Sequence, residues 1–201
     1  MRTAILRGTF KPGEKLDQQQ ISADLGVSPS PVRQALRTLA AEGLVTIIPN
    51  RGATVTERSI EELEELQFIR RMLEGAAARR GAPRMDDSRL ESLAAILDKA
   101  EKTSDFEEIL ALNNEFHAAI YSAFPQPTLM RHIQQLRNRV APYNRVYLES
   151  AGSKEVALAG HRRIYEACIR RDGKQAEEET SKHLEQVFLG TVKLTQSTAN
   201  N

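Results

Sequence analysis

The sequence predicts a mainly α protein in two parts, a small N-terminal unit with two short strands and an all-helical antiparallel bundle. Three observations carry this. Leu, Ala, Glu, Arg and Gln abound, while aromatic residues make up 5% of the 201 positions and Trp is absent, a composition that favours helices. The β-prone runs LVTII and ATVT both lie before residue 57. From Ser59 onward, apolar residues recur at helical spacing almost throughout. The change of pattern at Thr56–Ser59 divides the chain into residues 1–57 and 58–195, with a polar tail at 196–201. With 40% hydrophobic residues, such a chain can bury a core.

In the first unit, QQQISADLGV reads as a short helix with Ile21 and Leu25 on one face, closed by a tight turn at Gly26. In the next stretch, SPSPVRQALRTLAAEGL, Val32, Ala35, Leu36 and Leu39 mark the buried face of a helix from about Ser28 to Glu42, which Gly43 ends. Ser28 can cap it, and Pro29 and Pro31 fall in its first turn, where the backbone N–H has no intrahelical partner to lose. Away from the core, Ser30, Arg33, Gln34 and Arg37 form one polar, basic stripe. Two helices so spaced make a helix-turn-helix, whose second helix can lie in a DNA major groove. LVTII and ATVT flank PNRG, a hairpin with Arg51 at its tip that could serve as a wing on a phosphate or minor groove. Most helix arginines are merely solvated, but the capped helix, the short helix before it and the Arg-tipped hairpin occur together here. Residues 1–58 hold eight Lys or Arg against five Asp or Glu, a net +3, and the remainder is −2. This agrees with an anionic partner at the N-terminal end.

In the second unit the pattern predicts six helices, at 59–81, 86–102, 106–123, 126–150, 154–171 and 174–195. Asp86, Asp87 and Ser88 supply an N-cap cluster, Pro125-Gln126-Pro127 separates the third helix from the fourth, and Asp172-Gly173 stops the fifth. Pro142 is expected to kink or split the fourth. The single cysteine, Cys168, has no partner for an internal disulfide, and no apolar stretch approaches the roughly 20 residues of a membrane span. No signal-peptide pattern is visible at Met1, so a soluble, cytoplasmic protein is expected.

Candidate metal ligands lie in the helical half. LNNEFHAAIYSA places Asn113 and His117 one turn apart on one face. His161 stands early in the fifth helix and His183 late in the sixth, so antiparallel packing brings them level. Three imidazoles with an oxygen donor suit Zn, Ni, Mn or a similar divalent ion. Spacing alone reads more readily as three ordinary, polar or partly buried histidines, since ligands spread over three helices are not a sequence motif.

The first unit resembles the winged helix-turn-helix of GntR-family bacterial regulators from GTFKPGEKL through LGVS and PVRQAL to RGATV. That resemblance implies DNA contacts from Ser28, Ser30, Arg33 and Arg37 and from Arg51 and Gly52 in the wing. FIRRMLEGAAARR, FHAAIYSA and HRRIYEACIRRDGKQAEEETSKHL are similar to the FCD effector domain of the FadR subfamily. It implies a divalent metal on Asn113, His117, His161 and His183, and a small carboxylate effector held with help from Arg139 and Arg70. Three departures stand out. Pro29 replaces a common arginine, the first helix is short with Ile5 and Leu6 as its remaining buried face, and neutral Asn113 stands where the family pattern has Asp. Arg70 and Arg71 could exchange roles, and Arg70 could instead pair with Glu74 four residues on. His132 matches no ligand position.

These readings converge on a homodimeric regulator, repressor or activator, of a near-palindromic double-stranded DNA operator. A metal-sensing regulator is the first alternative and a metal-dependent enzyme the second. Against an enzyme, no general acid or base accompanies the histidines, since Glu115 points elsewhere on its helix.

Overall fold

The computed structural model describes residues 1–49 and 51–199, with side chains as far as residue 194. The first unit runs α1 (Arg2–Leu6), β1 (Lys15–Leu16), α2 (Gln18–Leu25), α3 (Pro29–Ala41), β2 (Val45–Ile48) and β3 (Gly52–Val55). Asp17 caps α2 by accepting from the N–H groups of Gln19 and Gln20. Pro29 and Pro31 do start α3, and Val32, Leu36 and Leu39 are its buried face. Of Ile21 and Leu25, one turn apart on α2, Ile21 is buried and Leu25 is 57% exposed at the helix end, next to the left-handed Gly26.

β2 and β3 form the expected hairpin, with Val45 opposite Val55 and Ile48 opposite Gly52. A third strand, β1, joins the free edge of β3 through Lys15 and Leu16, giving the order β1-β3-β2. Two residues are too few for an alternation to be read in sequence. Ile5, Leu16, Leu36, Val45 and Val55 pack together beneath this sheet.

The bundle comprises α4 (Ile60–Gly81), α5 (Asp87–Lys102), α6 (Phe106–Ser122), α7 (Pro127–Leu148), α8 (Ser153–Ile169) and α9 (Gly173–Ala199). A full capping box opens α4: Ser59 accepts from the Glu62 N–H, and the Glu62 carboxylate accepts from the Ser59 N–H. Asp86 and Asp105 cap α5 and α6 in the same sense. α7 runs through Pro142 unbroken, so the expected split does not occur. Pro142 is buried, and the packing of α7 against α4 and α9 holds the helix where one hydrogen bond is missing. α9 continues to Ala199, beyond the predicted end at 195, and residues 200 and 201 of the expected tail lie outside the described residues. The largest core joins Leu93, Phe116, Ile120, Tyr121, Ile133 and Ile164 from four helices. No helix among the described residues is long and apolar enough to cross a membrane.

The candidate metal centre and DNA-facing surface

His117 on α6, His161 on α8 and His183 on α9 meet inside the bundle. One ring nitrogen from each lies within 4.8 Å of the others, and all three side chains are buried. The convergence depends on Gly160. A Cβ there would collide with the His183 ring, so its absence lets α9 approach α8 closely enough to bring His183 beside His161. Phe116 stacks on His161 with ring centroids 4.5 Å apart and fixes its plane.

A buried chain of hydrogen bonds orients His117. Its Nδ1 lies 3.1 Å from the Tyr121 hydroxyl, which donates to Glu74 Oε2 at 3.1 Å. Tyr121 has one proton and gives it to the carboxylate, so His117 Nδ1 must be the donor to the hydroxyl oxygen and Nε2 keeps its lone pair. Glu74 is held in turn by Arg70, whose Nε reaches Oε1 at 2.8 Å and whose Nη1 donates to Gln67 at 3.1 Å. Arg70 thus both lines the cavity and forms the Glu74 pair. Arg71 turns outward to Ser181 and Glu185, which settles which of the two faces inward.

Electrostatics favour neutral imidazoles. Burial, reinforced by the Arg137 guanidinium, pushes His117 well below the usual histidine range. Burial and then His183 do the same to His161, and burial brings His183 down to about 4. Burial and the Glu74 carboxylate hold Tyr121 well above its ordinary value, keeping its proton available for donation. Nε2 of His161 is buried without a hydrogen-bond partner, a state that costs about 1–3 kcal/mol and that a metal bond would relieve. Neutral, converging lone pairs with one of them unsatisfied fit a divalent ion.

His117 and His183 face a cavity of about 340 Å³ that Asn113, Asn114, Arg70 and Arg137 also line. Asn113, one turn before His117, is half-buried at its edge. Arg137 donates to Asn114 Oδ1 at 2.7 Å and stands 3.8 Å from Glu74. Of the two expected effector arginines, Arg70 lines the cavity and Arg139 does not: its Nε donates to the Glu42 carbonyl in the first unit at 3.0 Å. The rotation of α7 directs Arg137 to the cavity and Arg139 to the opposite side. Arg137, Tyr121 and Gly160 were missed in the sequence, whereas Glu74 was read there as the partner of Arg70, and the pair forms. Only Tyr121 carried a signal, four residues after His117 within FHAAIYSA. His132 is exposed on α7, outside the cluster.

On the first unit, Ser28, Ser30, Arg33 and Arg37 are all exposed along α3 and its N-terminal approach. Ser28 makes no capping hydrogen bond with its side chain. Arg51 is exposed at the hairpin and Gly52 is half-buried where β3 begins. Among the described residues, no acidic side chain pairs with Arg33, Arg37 or Arg51.

Comparison with known proteins agrees with this two-part arrangement. Residues 1–55 match the family of bacterial regulatory proteins, gntR family, and residues 65–186 match the FCD domain. The chain belongs to the GntR family, FadR subfamily. This GntR-family chain is 28% identical over 188 residues to the HTH-type transcriptional regulator YdhC of Bacillus subtilis, covering 91% of this chain and 84% of that protein. It is 27% identical over 190 residues to the HTH-type transcriptional repressor RspR of Escherichia coli, covering 93% and 83%. The structure of E. coli McbR/YncC superposes with a TM-score of 0.84 at 25% identity, covering 96% of this chain and 94% of that one. These GntR relatives are transcriptional regulators, and this chain is a GntR/FCD transcriptional regulator whose buried three-histidine cluster could hold a metal ion.

Proposed function

We propose that this regulator binds a near-palindromic DNA operator as a homodimer, and that a divalent metal with a small carboxylate in the FCD cavity modulates that binding. The observation that carries the effector half is the three buried, neutral imidazoles beside a 340 Å³ cavity that also holds Arg137. His117, His161 and His183 would hold the ion, with Asn113 as a neutral oxygen donor from the cavity edge. The metal would offer open positions to a carboxylate oxygen. Arg137 is suited to the ligand's other oxygen, since its fork is only loosely engaged by Glu74. Arg70, bonded through Nε to Glu74 and through Nη1 to Gln67, holds the Glu74–Tyr121–His117 chain.

In the DNA half, Arg33 and Arg37 supply major-groove contacts and Arg51 the wing contact, while Ser28, Ser30 and the Gly52 backbone suit phosphate. Phe68 and Met72 stand one turn apart on α4 and are 63% and 61% exposed. Leu189 on α9 is 61% exposed, in a register that the Arg71–Glu185 pair brings alongside them. This apolar face supports pairing with a second copy.

Metal content decides the effector half. Protein purified without chelator should carry about one zinc, nickel or manganese per chain by mass spectrometry, and His117→Ala should lose it. Absence of uptake even after each ion is added would leave Arg137 and Asn113 to bind the effector alone. A second reading, the ion itself as the signal, predicts that metal changes DNA affinity with no carboxylate present.

A further inference from the structure

Helix α7 has two working faces. Gln134, Arg137, Asn138 and Ala141, at steps of three and four residues, line the cavity. Arg139 lies two residues past Arg137, roughly 200° around the helix, and reaches the DNA-binding unit. There it meets the end of α3. The Glu42 carbonyl accepts from Arg139 Nε at 3.0 Å, and the Gly43 carbonyl accepts from the Arg58 guanidinium. Tyr143, one turn beyond Arg139, accepts from the Arg58 N–H at 2.8 Å.

These carbonyls lie just past the last turn of α3, where the helix dipole is negative and backbone acceptors lack intrahelical partners. Gly43 has a φ of 73°, and a Cβ there would come within 3.1 Å of Arg139 Nε and 3.2 Å of the Arg58 guanidinium. A glycine at this point therefore does more than end the helix; it admits two cations to the same turn. Burial and the neighbouring Arg139 both act against the charge on Arg58, while Tyr143 and Glu62 favour it, and the two carbonyls accept from the guanidinium groups side by side. Such a contact is releasable. On the other side of the cavity, Thr3 and Leu6 of α1 form part of the wall, and Arg7 pairs with Glu107 at 3.2 Å.

We propose that Arg139 is a positioning residue for DNA binding: riding on α7 opposite Arg137, it couples occupancy of the metal cavity to the placement of the recognition helix. The coupling rests on the metal reading given above. A divalent cation on His117 adds positive charge beside Arg137, which is held by Asn114 and Glu74, and any shift of α7 in response carries Arg139 with it.

Hydrogen exchange of the full chain, with and without Zn²⁺, tests this in wild type, Arg139→Ala and Arg139→Lys. Without zinc, peptides spanning 38–45 should exchange about fivefold faster in Arg139→Ala, the factor one lost hydrogen bond is worth, while α5 and α8 peptides stay unchanged. Arg139→Lys should restore part of that protection. Zinc should alter exchange at 38–45 in wild type and leave it unaltered in Arg139→Ala, although both take up one equivalent by mass spectrometry. Unchanged exchange at 38–45 in zinc-free Arg139→Ala, or an undiminished zinc response in that variant, overturns the proposal. If neither protein takes up zinc, the metal reading fails by itself; the grip on α3 is then judged by the zinc-free comparison, and the coupling to metal is overturned.

Discussion

Tyr121 decides which nitrogen His117 presents. Removing its hydroxyl leaves Glu74 Oε2 without its donor and His117 Nδ1 without its acceptor, though the ring that fills the core remains. Tyr121→Phe should therefore keep its helix content but bind zinc about 10–100-fold more weakly, as a competition titration against a chromophoric chelator would read. Equal zinc affinity would show that the chain of bonds to Glu74 does not orient the ligand. The histidines also set an acid limit. Each has a folded-state pKa below its unfolded value near 6.5, so above that pH both states are neutral and nothing is gained or lost. As pH falls below about 6.5 the unfolded chain takes up protons that the folded, metal-free chain does not, and stability declines until the folded groups titrate, for His183 at about 4. Melting of metal-free protein between pH 7 and 4 should show this decline, and His183→Gln should reduce it.

At the scale of elements, α8 and α9 form a paired support for two of the candidate metal ligands, His161 and His183, and their separation is set by one missing side chain. Gly160→Ala forces a methyl group into the His183 ring, so α9 must move away. The expected cost is about 1–3 kcal/mol in a denaturant melt, together with loss of metal uptake. A variant of wild-type stability and full uptake would show that the contact relaxes freely. α3 is the corresponding element of the first unit. Its apolar face is fixed in the core by Val32, Leu36 and Leu39, which leaves Arg33 and Arg37 to solvent. On an operator obtained by in vitro selection, Arg33→Ala or Arg37→Ala should weaken binding by roughly 1–3 kcal/mol if each reads a base. Unaltered affinity for both would remove α3 from the recognition role.

For the whole molecule, the proposed homodimer would present two DNA-binding units together. The exposed face of Phe68 and Met72 on α4, with Leu189 beside it, lies on the bundle and includes no residue of α3 or the hairpin. Pairing through that face would leave both recognition helices free. Light scattering should give twice the mass of one chain, and Phe68→Glu with Met72→Glu should give the single-chain mass with an unchanged melting profile of the first unit. A wild-type monomer at micromolar concentration would refute the pairing. Each DNA-binding unit meets its bundle through polar contacts at Glu42, Gly43, Arg58 and Tyr143. Contacts of that kind suit adjustable placement better than a continuous apolar seam would.

The sequence alone determined the helices, the hairpin and their order, though not the two-residue strand β1. The prolines before α3, the cap residues of α4 to α6 and the apolar periods are local signals, and local backbone chemistry obeys them. It also brought His117, His161 and His183 into one candidate set through antiparallel helix register and family likeness, and they do converge. What the sequence left open was rotation and distance between elements. Arg137 and Arg139 are equally plausible on α7 until the helix is turned about its axis, and that angle is set by how Leu136, Val140 and Tyr143 pack with Leu63, Leu66 and Phe188. β1 exists only because β3 has a free edge beside it, and α7 survives Pro142 only because its neighbours enclose it. Periodicity along one chain specifies which side of a helix is apolar. Which arginine then faces the cavity, and which meets the end of α3, follows from packing between segments distant in sequence.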